Sequence, residues 1–152
     1  MYNVIVDETF DAAHHLVGYN GKCAQLHGHT YKVSVCYRYE ILGRNGFALD
    51  FGALKIVLRD IISELDHKDL NSIVHAEHPT AELIAEYIAK MLPQPPYWVE
   101  VQETPTCRIR YYPESEEEEQ YDSKCTSCSL HSSSKESTTE LEHSSSDSTD
   151  AT

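Results

Sequence analysis

His14, His27 and His29 are the residues of this chain best placed by type and spacing to share chemistry. Residues two apart on a strand project to the same face, so the imidazoles of His27 and His29 can reach one ion. If the segment that ends near His14 pairs as an antiparallel hairpin with the one that starts at His27, a third imidazole arrives beside them. Three neutral imidazoles suit zinc, and three protein ligands leave a fourth position open, as catalytic rather than structural sites do. Spacing alone leaves the plain alternative open, because nine histidines in 152 residues can cluster by chance. His15 is expected to point away from His14, and His75 and His78 to be polar loop residues.

Cys23, four residues before His27, admits two chemical roles. It could close the site as a fourth ligand, or stand beside the ion as a thiolate able to move a proton. A small buried residue is the plain alternative, which suits Cys36 and Cys107 better. Asp66-His67 follows an apolar segment, and a carboxylate beside an imidazole can fix its tautomer and hold it as a proton carrier. Adjacent residues often point apart, however, and taken alone the pair reads as structural charged residues at a helix end. Glu103 ends an alternating segment, where a carboxylate could pair bidentately with a flat ring bearing adjacent N–H donors. By itself it reads as a solvated strand end.

These residues need elements to position them. Tyr2 to Phe10 is strand-like, centred on Val4, Ile5 and Val6. From Thr30 to Glu40 the residues Tyr31, Val33, Val35, Tyr37 and Tyr39 alternate with polar ones or Cys36, a period of two with one buried face. Asn45-Gly46 signals a turn, and Phe47 to Phe51 is expected to return as a strand. Leu54, Val57, Leu58, Ile61, Ile62 and Leu65 recur at helical spacing over roughly residues 52–65. A second helix is expected after Thr80 as N-cap, with Glu82 in its first turn and Leu83, Ile84, Tyr87, Ile88 and Met91 on its buried face. Pro93, Pro95 and Pro96 stop it. Strands at 97–104 and 107–112 close the domain. The order is ββααββ: an α+β fold with an antiparallel four-stranded sheet and two helices.

Charge divides the chain in two. The net charge is −13. Residues 1–113 hold 14 acids and 10 bases, whereas residues 114–152 hold 11 acids, 2 bases and 12 serines. A segment so poor in apolar surface cannot offset its chain entropy, so an acidic, Ser-rich, disordered tail over 114–152 is expected. Its Cys125-x-x-Cys128, with His131 and His143, lacks a framework for a metal site. No stretch approaches the roughly 20 apolar residues that span a bilayer. No basic surface suggests nucleic acid. The start has no basic region followed by an apolar run, so a signal peptide is not expected. Five cysteines, an odd number, point to a reduced cytoplasmic protein rather than a disulfide framework.

Taken together, the motifs resemble the 6-pyruvoyl-tetrahydropterin synthase family. They are Phe10-Asp-Ala-Ala-His14, Cys23-Ala-Gln-Leu-His27-Gly-His29, Leu49-Asp-Phe51, Leu65-Asp-His67 with Leu70-Asn71, His78-Pro-Thr80-Ala-Glu82 and Val101-Gln-Glu103-Thr104. All six occur in family order across residues 1–112. The three residues between Cys23 and His27 resemble the branch that makes 6-carboxytetrahydropterin for queuosine-type deazapurine synthesis. The 6-pyruvoyl branch typically has a longer insert there. The resemblance implies that His14, His27 and His29 hold zinc, that Cys23 is the general base, and that Asp66 and His67 form a second proton-handling pair. It implies that Glu103, helped by Thr104, anchors the pterin ring of 7,8-dihydroneopterin triphosphate, and that acetaldehyde and triphosphate leave in a lyase reaction. It also implies the tunnelling fold, in which sheets of several subunits join into a barrel, commonly a hexamer with active sites at subunit interfaces. The rival readings are a 6-pyruvoyl-tetrahydropterin synthase and an inert zinc-stabilised binding module. For the triphosphate, Lys22, Lys32, Arg108 and Arg110 are candidates between which the sequence does not choose.

Overall fold

In the computed structural model, which describes residues 1–74 and 78–113, the chain runs β1 (Tyr2–His14), β2 (His27–Tyr39), α1 (Phe51–Ser63), α2 (Ala81–Met91), β3 (Trp98–Thr104) and β4 (Cys107–Tyr111). The four strands form one antiparallel sheet in the order β1-β2-β3-β4. The expected tail over 114–152, its Cys125/Cys128 pair and His75 lie outside the described residues. No described helix is long and apolar enough to cross a membrane.

Period-two alternation builds the sheet. Val4, Val6, Phe10 and Ala12 of β1, Tyr31, Val33, Val35 and Tyr37 of β2, and Val99 and Val101 of β3 are buried on one face. Leu54, Leu58, Ile61 and Ile62 of α1 and Ile84, Ala85, Ile88 and Ala89 of α2 close over that face as a single core. The helices share one side of the sheet, with α1 over β1 and α2 over β3 and β4. Side chains such as Leu58 and Ile84 are wholly buried, and cutting either to Ala would cost about 2–5 kcal/mol.

β1 and β2 pair along their whole lengths, from Tyr2 opposite Tyr39 to His14 opposite His27. The second strand starts at His27, as the pairing argument from the histidines expected, and the first runs four residues past Phe10 to meet it. The added rungs carry the histidines.

Two expectations are corrected. Residues 47–51 are not a strand. Gly46, at φ 79°, turns the chain, and the Gly43 amide donates to the Phe47 carbonyl at 2.9 Å. Asp50 then caps α1 by accepting from the Gly52 and Ala53 amides at 2.7 and 3.4 Å, so Phe51 opens a helix. A carboxylate that satisfies two otherwise unpaired amides outweighs the strand propensity of Phe47 and Phe51. The buried face of α2 is also rotated from the expected one. Leu83 and Met91 are exposed, and the small Ala85 and Ala89 are buried with Ile84 and Ile88, where they let the helix approach the sheet. Thr80 holds the N-cap position, but its hydroxyl makes no capping bond; Glu82 lies in the first turn as expected.

Candidate active site

The core-facing row of β1 and β2 ends in histidine. Beyond the stacked Phe10 and Tyr31 rings, 5.0 Å apart, the next positions on that face are Ala12 and His14 on β1 and His29 and His27 on β2. One ring nitrogen from each of His14, His27 and His29 falls within 4.8 Å of the others. His14 is almost wholly buried, and the other two are half-buried. The strand pairing inferred from spacing is what brings them together.

Their chemistry fits a metal ion. His14 Nδ1 lies 2.8 Å from the Pro79 carbonyl, and His27 Nδ1 lies 2.7 Å from the Gln25 carbonyl. A carbonyl oxygen only accepts, so in both rings Nδ1 carries the proton and Nε2 presents its lone pair. Those two Nε2 atoms face each other at 3.1 Å, an arrangement that a cation between them stabilises. The His29 Nε2 is buried with no hydrogen-bond partner. Burial, with the neighbouring His14 and His27, lowers the His29 pKa against the opposing pull of Glu103, which favours the neutral, ligating imidazole. Carbonyls behind the ligands that fix ring orientation are the usual support of a metal-binding histidine. The Pro79 contact also gives a reason for the His78-Pro79-Thr80 motif, which the sequence offered without a role. His78 itself is exposed.

Glu103 comes to the same cluster. A register shift between Gln102 and Thr104 sets it apart from the β3–β4 ladder. Its Oε1 lies 3.4 Å from His14 Nε2 and 3.7 Å from His29 Nε2. Cys23 sits on a short 3-10 turn, Lys22–Ala24, tied back by the Leu16 amide donating to the Cys23 carbonyl at 2.8 Å. Cys23, His14 and Glu103 line one cavity of about 510 Å³, with Arg108 also on its wall. Among the other candidate cations, Lys32 is held by Asp7 at 2.8 Å and Arg110 by Glu100 at 2.6 Å; Lys22 shares the turn with Cys23. The Thr104 hydroxyl accepts from the Cys107 amide at 3.1 Å and so closes the β3–β4 turn.

Asp66 and His67 do not point apart. Asp66 Oδ2 lies 2.8 Å from His67 Nδ1. The segment that follows α1 docks on the free edge of β1: the Asp11 amide donates to Asp66 Oδ1 at 2.9 Å, the His67 amide to the Asp11 carbonyl at 2.6 Å, and the Ala13 amide to the Lys68 carbonyl at 3.0 Å. The Asp11 amide, followed by His67, holds the Asp66 carboxyl below its ordinary pKa. His67 adopts φ 56°, a left-handed conformation unusual outside glycine. Its side chain is 76% exposed and lines a second cavity, also about 510 Å³, with Asp11, His29, Thr30 and Lys68. Within one protomer, His67 and Cys23 line different cavities.

Asp11, Thr30 and Lys68 were not singled out from sequence. The Thr30 hydroxyl donates to Asp11 Oδ1 across the β1–β2 ladder, a pairing that only the register reveals. His15 is bracketed through its backbone by Asn71, which accepts from its amide at 3.0 Å and donates to its carbonyl at 2.9 Å. Cys36 is buried as expected, and burial pushes its thiol pKa up. Cys107 is exposed instead, because it leaves the tight turn at the sheet end; hydrogen bonds from Thr104 and then Thr106 pull its thiol pKa down. All three are free thiols.

Fold and site define the class: a tunnelling-fold domain carrying a three-histidine, metal-type centre with a carboxylate beside it and a thiol on the cavity that His14 lines. The family follows from comparison. The sequence profile of the 6-pyruvoyl tetrahydropterin synthase family matches residues 3–114, and the chain belongs to that family. A 6-carboxy-5,6,7,8-tetrahydropterin synthase of Synechocystis is 35% identical over 121 residues, covering 74% of this chain and 94% of that protein. A dihydroneopterin monophosphate aldolase of Pyrococcus furiosus is 37% identical over 59% of this chain and 73% of its own length. The solved 6-pyruvoyl tetrahydropterin synthase of Caenorhabditis elegans superposes with a TM-score of 0.67 at 25% identity, covering 74% of this chain and 96% of that one.

Proposed function

We propose that this chain is a zinc-dependent lyase that converts 7,8-dihydroneopterin triphosphate and water to 6-carboxy-5,6,7,8-tetrahydropterin, acetaldehyde and triphosphate. One observation carries the reading. Three imidazoles converge on one point, and one of them, His14, lines a cavity with Cys23 and Glu103, in a protein 35% identical to a synthase of that product across 94% of the relative's length.

His14, His27 and His29 would hold the ion. Zinc bound there supplies a Lewis acid that makes the substrate's C–H and O–H groups beside it easier to deprotonate. Glu103, with Thr104 beside it, receives the amidine-like N–H edge of the pterin, as a carboxylate does with paired donors. Cys23, on the wall of the same cavity, takes a proton from the substrate as general base. Asp66 keeps the His67 proton on Nδ1 by accepting it, which leaves Nε2 free to exchange a proton with substrate.

Cys23 and His67 line different cavities of one protomer, which supports a site completed between subunits of a homo-oligomer, a hexamer by analogy with the family. In that assembly His67 of one copy faces Cys23 of the next, and the sheets join into a barrel. The catalytic domain is residues 1–113, and the acidic, Ser-rich residues 114–152 are not needed for catalysis. The free thiols suit a reducing cytoplasm.

The test is incubation of the zinc-loaded protein with 7,8-dihydroneopterin triphosphate, mass spectrometry of the pterin and trapping of acetaldehyde. A carboxy product with acetaldehyde is expected. A pyruvoyl side arm would reassign the protein to the other branch, and a folded, zinc-loaded protein without turnover would make it a binding module. Cys23→Ala should abolish turnover with zinc retained; loss of zinc in that variant would make Cys23 a ligand.

A further inference from the structure

Tyr31 is the most deeply buried polar side chain next to the site. It has no exposed surface, and its hydroxyl has no hydrogen-bond partner. A phenylalanine would fill the same space without burying an unmet O–H, so a hydroxyl kept there needs a partner that this state of the site does not provide. The surroundings identify one. Tyr31 stacks on Phe10 and is packed edge-on by His14 and His29, with centroids 6.0 and 5.5 Å away. Rings supply no carboxylate or carbonyl acceptor.

The register supplies the acceptor. The β2–β3 ladder ends at Lys32 opposite Gln102, so Tyr31 and Glu103 are the next residues of the two strands beyond its last rung, and both lie beside His14 and His29. A phenol keeps its proton near neutral pH and so is able to donate. Glu103 here leans toward the lone-pair sides of His14 and His29. The phenol O–H, packed against the same two rings, is a buried donor without a partner.

We propose that the Tyr31 hydroxyl is a positioning donor that fixes the Glu103 carboxylate in the pose that receives the pterin edge. The proposal deepens the reading above and rests on it. One carboxylate oxygen can take the phenol O–H and both still have lone pairs for ring N–H donors, since a carboxylate offers about four acceptor sites. Tyr31 itself need not touch substrate.

The experiment compares wild type, Tyr31→Phe, Glu103→Gln and the double variant, each zinc-loaded, by fluorescence titration with neopterin and by steady-state kinetics. Tyr31→Phe should weaken neopterin binding roughly tenfold, the size of a hydrogen bond to a charged acceptor, and raise KM with little change in kcat. Its zinc affinity in a chelator competition should match wild type, and its melting temperature should not fall. In the Glu103→Gln background, Tyr31→Phe should add little, because the acceptor charge is already gone. Wild-type neopterin affinity in Tyr31→Phe would overturn the proposal. So would an undiminished effect in the Glu103→Gln background, a lost zinc affinity or a lowered melting temperature, each of which assigns the hydroxyl elsewhere. Failure of the wild type to bind neopterin would instead sink the functional reading, and the proposal with it.

Discussion

Replacing His67 by Gly should separate what this residue does for the fold from what it does for turnover. Its backbone sits at φ 56°, and its amide donates to the Asp11 carbonyl at 2.6 Å, a bond that any residue but proline retains. Holding a non-glycine residue left-handed costs about 1 kcal/mol, which Gly would recover. Glycine gives back roughly 0.5–1 kcal/mol through the greater freedom of the unfolded state. The imidazole is 76% exposed, so its contact with Asp66 is screened by water and little packing is lost. The terms nearly cancel, and the melting temperature should move by no more than about 5 °C. Turnover should fall by about 10²–10⁴, the range of a lost general acid or base and equivalent to about 3–5 kcal/mol in the barrier. His67→Asn tolerates the same backbone conformation but carries no transferable proton near neutral pH, so it should lose as much activity. Calorimetry and steady-state turnover of the zinc-loaded variants make the comparison. A Gly variant that melts more than about 10 °C lower would mean the ring is structural. Turnover near the wild-type value would refute the proton-handling role.

Zinc should stabilise the fold in proportion to its concentration. At a free level 100-fold above Kd the linkage is about 2.7 kcal/mol, or roughly 10 °C, which a chelator should remove in a thermal melt and His14→Ala should abolish. A wild-type melt indifferent to the chelator would count against the metal site. Asp66 should titrate below its ordinary value of 3.8. Because the folded pKa is depressed, its contribution to stability is complete above that value and is lost as pH falls through the lower folded one; a carboxyl carbon NMR midpoint at or above 3.8 would contradict this. Deleting residues 114–152, which lie almost wholly beyond the family match at 3–114, should leave turnover and assembly intact; a collapse of either would tie the tail to the enzyme.

Much of the fold was legible because its signals are local. Alternation from Tyr31 to Tyr39 marks a strand with one buried face whatever the rest of the sequence does, and the 3.6-residue recurrence from Leu54 to Leu65 marks a helix. Misreadings arose where a local preference met a competing one. Phe47 to Phe51 has strand-like residues, yet Asp50 satisfies two amides and starts a helix. Leu83 and Met91 are apolar but exposed, because Ala85 and Ala89 allow the closer helix–sheet approach.

The chemistry-bearing residue types were determined by sequence alone, as was the reach of His27 and His29 to one side of a strand. Cys23, Asp66 and Glu103 could each be named with a plain alternative beside them. Tertiary structure decided which of them meet. The β1–β2 register sets His14 opposite His27, and a shift near Gln102 brings Glu103 to the same imidazoles. The free edge of β1 gathers Asp66 and His67 into a hydrogen-bonded pair. These outcomes depend on contacts between residues 13 to 89 positions apart, whose partners no local pattern specifies. Spacing along a strand could place imidazoles on one face, and the Gln25 carbonyl beside His27 is a local contact, but the Pro79 carbonyl that sets the His14 tautomer comes into reach only when the elements pack, and only packing buries the Tyr31 hydroxyl without a partner.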